Sequence, residues 1–172
     1  MIEIYTDGSS RGNPGPGGYG VTIVQDNEII YAYSQQFNNI TNNQAELRAI
    51  IHAFQLAQER YSKETCIIYS DSAYCVNMCN DWIFGWARNG WKNTKKKTVE
   101  NLDLVLQLYE FLSQPFFHCQ VRKTSGHSGI IQNEIADALA TDDNLKLTKL
   151  INNNNLILKE YYQEQLDLCE KL

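Results

Sequence analysis

The chain has 172 residues, 43% of them hydrophobic and 20% charged, and 15 Lys and Arg against 20 Asp and Glu give it a formal charge of −5. That length suits one domain with a well-formed core and is short for two, and the composition excludes global disorder. No apolar run approaches the ~20 residues that cross a bilayer, the five cysteines form no CxxC pair that would suggest a zinc site or disulfide framework, and the net acidity counts at first sight against a nucleic-acid partner.

Met1 leads directly into Ile2-Glu3-Ile4-Tyr5 with no targeting region, so a cytoplasmic protein is expected. Ile2 to Thr6 alternates as a strand does. The stretch holding Gly8, Gly12, Gly15, Gly17, Gly18 and Gly20 with Pro14 and Pro16 reads as a turn or loop. Gly20 to Gln25 and Glu28 to Phe37 then read as two strands joined at Asp26-Asn27, which completes a three-stranded meander. Thr41 or Asn42 can cap a helix whose apolar positions Ala45, Leu47, Ile50, Ile51, Phe54 and Ala57 keep a helical period to about Tyr61.

Cys66 to Ser70 is a fourth strand, and Asp71 stands where a helix could begin. Helices are expected at about Ser72 to Asp81, Trp82 to Asn89 and Val99 to Ser113, with Pro115 stopping the last. Phe116 to Arg122 is a fifth strand, and Ile131 to Asp142 is a short alanine-rich helix. The order predicts an α/β fold, a mixed sheet flanked by helices, over residues 1–144. Residues 145–172 form a C-terminal extension with an asparagine linker, Asn152 to Asn155. Leu158, Tyr162, Leu166, Cys169 and Leu172 fall on one helical stripe, so a helix is expected there, packed on the domain or paired with another chain.

Hydrolysis of a phosphodiester at neutral pH calls for divalent cations held by converging carboxylates, and four acids sit in suggestive places. Asp7 lies in Thr6-Asp7-Gly8-Ser9 at a strand end, although Asp-Gly is commonly only a turn. Glu46 lies near the start of the first helix, where a favourable interaction with the helix terminus would also explain it. Asp71 could be an ordinary N-cap, and Asp137, three positions beyond Glu134, could belong to a solvated face.

The four segments taken together say more. Thr6-Asp7-Gly8-Ser9, then Thr41-Asn42-Asn43-Gln44-Ala45-Glu46-Leu47, then Tyr69-Ser70-Asp71-Ser72, then the run from Gly126-His127-Ser128-Gly129 through Asn133-Glu134 to Asp137-Ala138-Leu139-Ala140 resemble the type 1 ribonuclease H family over roughly residues 1 to 142. The resemblance implies a ribonuclease H-like fold, a five-stranded mixed sheet with helices on both faces. It implies an endoribonuclease that cuts the RNA strand of an RNA–DNA hybrid duplex by a two-metal-ion in-line mechanism, leaving 5′-phosphate and 3′-hydroxyl ends. Asp7, Glu46, Asp71 and Asp137 match the family's metal ligands for two Mg²⁺, for which Mn²⁺ can substitute, with Asp7 bridging the ions. His127 matches a histidine that assists proton transfer or product departure, whereas His52 and His118 read as structural.

From Trp82 to Val99 there is no acid, while Arg88, Lys92, Lys95, Lys96 and Lys97 alternate with Trp82, Trp86 and Trp91. This third of the chain's basic residues removes the objection from net charge and reads as a nucleic-acid contact surface, with one tryptophan assigned to the core. The segment resembles the family's basic protrusion, which grips the DNA strand. The resemblance also assigns Ser10, Asn13, Asn42 and Asn43 to the minor groove of the hybrid and Thr41 and Arg88 to a DNA phosphate, and Ala73 stands where the family often has a longer polar side chain. Another nuclease with the same acid cluster, such as a resolvase, and an inactive hybrid-binding module are the competing readings. No membrane partner is expected; a monomer is, with self-association through the extension as the alternative.

Overall fold

The computed structural model describes residues 1–115, 118–124 and 129–166. Strands β1 (Ile2–Ser10), β2 (Gly15–Gln25) and β3 (Glu28–Ile40) make an antiparallel meander. The glycine-rich stretch expected to be a loop is mostly strand, for Gly17 pairs with Ser10 and Gly18 with Ser9. Close packing explains these glycines better than chain reversal. A Cβ at Gly17 would lie 2.2 Å from the Ser9 carbonyl oxygen, and one at Gly18 would lie 2.4 Å from that of Gln35. Asp26 and Asn27 form the two-residue turn as expected, both with positive φ (51° and 62°).

Helix α1 (Asn42–Arg60) starts at Thr41, whose hydroxyl accepts from the Gln44 N–H while the Gln44 side chain accepts from the Thr41 N–H. Strand β4 (Cys66–Ser70) runs parallel beside β1, and β5 (Cys119–Lys123) runs parallel beside β4. His118 stands just ahead of β5 and not within it. Between β4 and β5 come α2 (Ala73–Asn77), one π-helical turn (Met78–Trp82), α3 (Ile83–Arg88) and α4 (Leu102–Leu112).

The strand period of two sends alternate side chains to two cores. Ile4, Val21, Ile23 and Tyr33 join Leu47, Ile50 and Phe54 of α1 and Leu104 and Leu108 of α4 on one face. On the other face Ile29 and Ala32 meet Ile135, Ala138 and Leu139 of α5 (Ile131–Ala140). The mixed sheet therefore carries helices on both faces, as the resemblance implies.

The extension departs from expectation. Helix α6 (Asn144–Asn153) includes the first asparagines of the supposed linker, and the segment beyond it, expected to be helical, forms β6 (Ile157–Leu158) and β7 (Tyr161–Leu166). Both pair in parallel with β3, from Glu28↔Ile157 to Phe37↔Leu166, so the sheet has seven strands among the described residues and not five. The physical reason is the open edge of β3, whose backbone groups need partners that a helix could not supply. Tyr161 packs on the α5 core while the ring of Tyr162 lies 5.7 Å from that of Tyr31, so consecutive residues serve opposite sides and the helical stripe is broken there, while Cys169 and Leu172 lie outside the described residues. Ion pairs Arg60–Glu160 (2.8 Å) and Lys159–Glu28 (3.1 Å) fasten the extension to the domain. No helix among the described residues is long and apolar enough to cross a membrane.

Candidate active site

Asp7 lies near the end of β1, and two glycines let helices approach it from both faces of the sheet. A Cβ on Gly8 would lie 2.4 Å from the Glu46 backbone nitrogen, so the bare glycine allows the N-terminal part of α1 to sit directly on β1. Gly20, paired across β2 with Asp7, does the same for α5, since a Cβ there would lie 2.5 Å from both the Ala136 carbonyl oxygen and the Leu139 Cβ. Glu46 arrives over Gly8 and Asp137 over Gly20. Glu46 is the fifth residue of α1, beyond the first turn, which leaves little of the helix-terminus explanation for it.

Asp71 follows β4, the parallel neighbour of β1. It is not the cap of α2, because Ser72 fills that position and its hydroxyl accepts from the Cys75 N–H at 3.2 Å. The acid is thereby left free to face Asp7. Carboxylate oxygens of Asp7, Glu46 and Asp71 lie within 4.8 Å of one another, with Asp7 and Glu46 buried and Asp71 the most accessible. Asp137 completes the group through a hydrogen bond shared with Asp7. All four acids named from the sequence thus meet.

Gathering the acids has an electrostatic cost. Burial, followed by the charges of Asp71 and Asp137, pushes the Asp7 carboxyl up to about 8, against the opposing hydrogen bond from Gly8. Burial and the charges of Asp7 and Asp71 raise Glu46 well above the usual range as well. One oxygen of Glu46, Oε2, is buried with no hydrogen-bond partner. A buried carboxylate oxygen without a partner, inside a cluster of hard oxygen donors, fits a divalent cation in the Mg²⁺ or Mn²⁺ class. The sequence reading missed one member of this neighbourhood, Lys146, whose Nζ lies 2.6 Å from Asp137 Oδ2 and 2.8 Å from Glu134 Oε2.

The candidate substrate contacts divide into two areas. Asn13, Thr41 and Asn43 line one groove with Glu100 and Asn101, and Asn13 Oδ1 accepts from the Asn42 N–H at 3.1 Å, which ties the β1–β2 turn to the start of α1. Ser10 and Arg88 do not line that groove: the Ser10 hydroxyl donates to the Gly12 carbonyl inside the turn, and Arg88 is exposed at the end of α3. Ala73 is exposed at the first position of α2.

The second area is the basic segment. Asn93 Oδ1 accepts from the N–H groups of Lys95 and Lys97, and Asn89 exchanges hydrogen bonds with the backbone of Lys92. These bonds shape an exposed loop that presents Lys92, Lys95, Lys96 and Lys97 to solvent. Two tryptophans, not one, lean on the core: Trp86 and Trp91 pack against it, and Trp91 meets Tyr109 edge-on at 5.3 Å. Trp82 is the most open, 37% exposed, with its ring 6.2 Å from that of Trp86. His127 lies outside the described residues.

The comparisons agree with this geometry. The RNase H family model matches residues 1–144. The chain is 39% identical over 155 residues to a ribonuclease H of Orientia tsutsugamushi, covering 89% of this chain and 88% of that protein. It is 42% identical over 140 residues to ribonuclease HI of Pasteurella multocida, covering 81% and 87%. Among solved structures, LC11-RNase H1 in complex with an RNA/DNA hybrid superposes with a TM-score of 0.60 at 25% identity over 84% of this chain and 99% of that one. With a family model spanning most of its length, relatives near 40% identity and a cluster of Asp7, Glu46 and Asp71 with Asp137 beside Asp7, this chain belongs to the ribonuclease H family.

Proposed function

We propose that the chain is an endoribonuclease that hydrolyses the RNA strand of an RNA–DNA hybrid, with Asp7, Glu46, Asp71 and Asp137 holding two Mg²⁺, or Mn²⁺ in their place. The observation that carries this reading is the convergence of the Asp7, Glu46 and Asp71 oxygens within 4.8 Å, with Asp137 hydrogen-bonded to Asp7. Bound there, the ions supply a nucleophile at neutral pH and shield the charge of the scissile phosphate.

Asp7, whose carboxyl feels the charges of Asp71 and Asp137 and which in turn acts on Glu46, would be the ligand common to both ions. Asn13, Asn42 and Asn43 offer short polar groups suited to a 2′-hydroxyl in a shallow groove, with Ser10 near Asn13 in the same turn. Thr41 and Arg88 contact a phosphate of the DNA strand, and the lysine loop neutralises that strand with Trp82, the most open of the three tryptophans, packing against it while Trp86 and Trp91 support the loop from the core. His127 moves a proton or eases product departure. The products carry 5′-phosphate and 3′-hydroxyl ends. The hybrid bound to LC11-RNase H1 supports the substrate class, and the lysine loop favours it over a resolvase-type substrate. An acid cluster facing phosphates argues against a mere binding module. With the extension paired to its own sheet, the protein acts as a monomer.

The test is hydrolysis of end-labelled RNA–DNA, RNA–RNA and DNA–DNA duplexes with Mg²⁺, by the native chain and by Asp7→Asn. Cleavage confined to the RNA of the hybrid and lost in the variant is expected. Equal cleavage of all three duplexes, or an active variant, overturns the proposal.

A further inference from the structure

Lys146 occupies an unusual position for a lysine. Asp143 caps α6, its Oδ1 accepting from the Lys146 N–H at 2.9 Å, which fixes Lys146 in the first turn of that helix. A cation there opposes the positive end of the helix dipole, so local preference does not explain the residue. Its tertiary contacts do. Glu134 and Asp137 are three apart on α5 and share one face, and the ammonium group sits between them, 2.8 Å from Glu134 Oε2 and 2.6 Å from Asp137 Oδ2. Lys146 also lies beyond residue 144, where the family match ends.

We infer that Lys146 is an internal counter-ion that competes with the divalent cation for Asp137 and so sets the metal concentration at which the site fills. This deepens the proposed function and rests on its assignment of Asp137 as a metal ligand. While Lys146 holds Asp137, the acid cluster is partly neutralised and the metal-free fold is relieved of repulsion. An incoming dication must displace the ammonium group from Asp137 or bind in its field, and either course subtracts from metal affinity. The coupling is reciprocal: whatever Lys146 adds to the metal-free state, it removes from metal binding. Lys146 is therefore a positioning residue that acts through Asp137.

The experiment is calorimetric titration of Mn²⁺ alone into the native chain, Lys146→Gln, Lys146→Arg and Asp137→Asn, with melting temperatures in chelator and in saturating Mg²⁺. Removing a unit charge beside a dication site should tighten Mn²⁺ binding by Lys146→Gln roughly fivefold. That variant should melt lower than the native chain in chelator and regain most of the difference in Mg²⁺, while Lys146→Arg behaves as native. Unchanged or weaker Mn²⁺ binding by Lys146→Gln overturns the inference, as does an equal loss of melting temperature with and without metal. Native-like Mn²⁺ binding by Asp137→Asn would instead remove Asp137 from the metal site, and both readings would fall.

Discussion

Asp7 and Gly20 face each other across β1 and β2, and the absence of a side chain at Gly20 lets α5 bring Asp137 against Asp7. The site therefore depends on a small residue that carries no chemistry.

Gly20→Ala is expected to push α5 outward, because the added methyl would lie 2.5 Å from the Ala136 oxygen and the Leu139 Cβ. Overpacking of this kind costs about 1–3 kcal/mol. Urea denaturation should show the loss of stability, and turnover should fall with it as Asp137 moves away from Asp7. Native turnover in a destabilised variant would show that the distance between these acids is not critical.

Asp7→Asn should separate stability from catalysis. Asn is neutral without taking up a proton, so it avoids the cost of holding Asp7 protonated beside Asp71 and Asp137 when the unfolded chain would ionise it, and the melting temperature in chelator should rise. Turnover should fall on the order of a thousandfold, about 4 kcal/mol of barrier. A lower melting temperature in chelator would contradict the strained metal-free site.

The pH dependence of the metal-free protein follows from two buried groups of opposite effect. Asp7, raised from 3.8 to about 8, keeps a proton in the folded chain that the unfolded chain releases, so stability falls as pH rises through that range. His52, buried between Tyr19 and Tyr31 and pushed from 6.5 down to about 4, stays neutral in the folded chain where the unfolded chain binds a proton, so its contribution is lost as pH falls from about 6.5 to about 4. The two oppose each other below about 6.5, and above it Asp7 acts with Glu46, which is raised as well. Melting in chelator should therefore drop between pH 6.5 and 8, and saturating Mg²⁺ should flatten the drop. A flat profile in chelator would refute the raised Asp7.

Replacing Lys95, Lys96 and Lys97 together by Gln should raise KM for the hybrid and reduce the slope of log KM against log salt by up to about 3, near one per lost phosphate contact. All three are exposed, so the melting temperature should hardly change. An unaltered slope would remove the loop from the interface.

A chain ending at Asn155 keeps α6 and Lys146 but lacks β6 and β7, and loses both the Arg60–Glu160 pair and the Tyr33 hydrogen bond to Glu164. Stability should drop by about 1–3 kcal/mol. The bared β3 edge should also promote association, visible as increased light scattering. Native stability and a monomer would show the extension to be dispensable.

The acids could be read from the sequence because each sits in a distinctive local run, and a strand end or helix start says where a carboxylate can point. Lys146 could not be read this way, since its role depends on how α6 turns back on α5 after Thr141 to Asp143. Gly17 and Gly18 were misleading because glycine usually signals a turn, whereas here it allows strands to approach closely. Leu158, Tyr162 and Leu166 satisfy a helical period, and the open backbone edge of β3, a demand made by distant residues, overrides it.

The pairing of β7 with β3 also orders events during synthesis. Tyr33 and Glu164 are 131 positions apart, so a nascent chain carries an uncovered β3 edge long after the meander has left the ribosome. Contacts between such distant residues close late. Docking of the tail is then a final locking step, and until it occurs the half-made enzyme is most exposed to pairing with a neighbour.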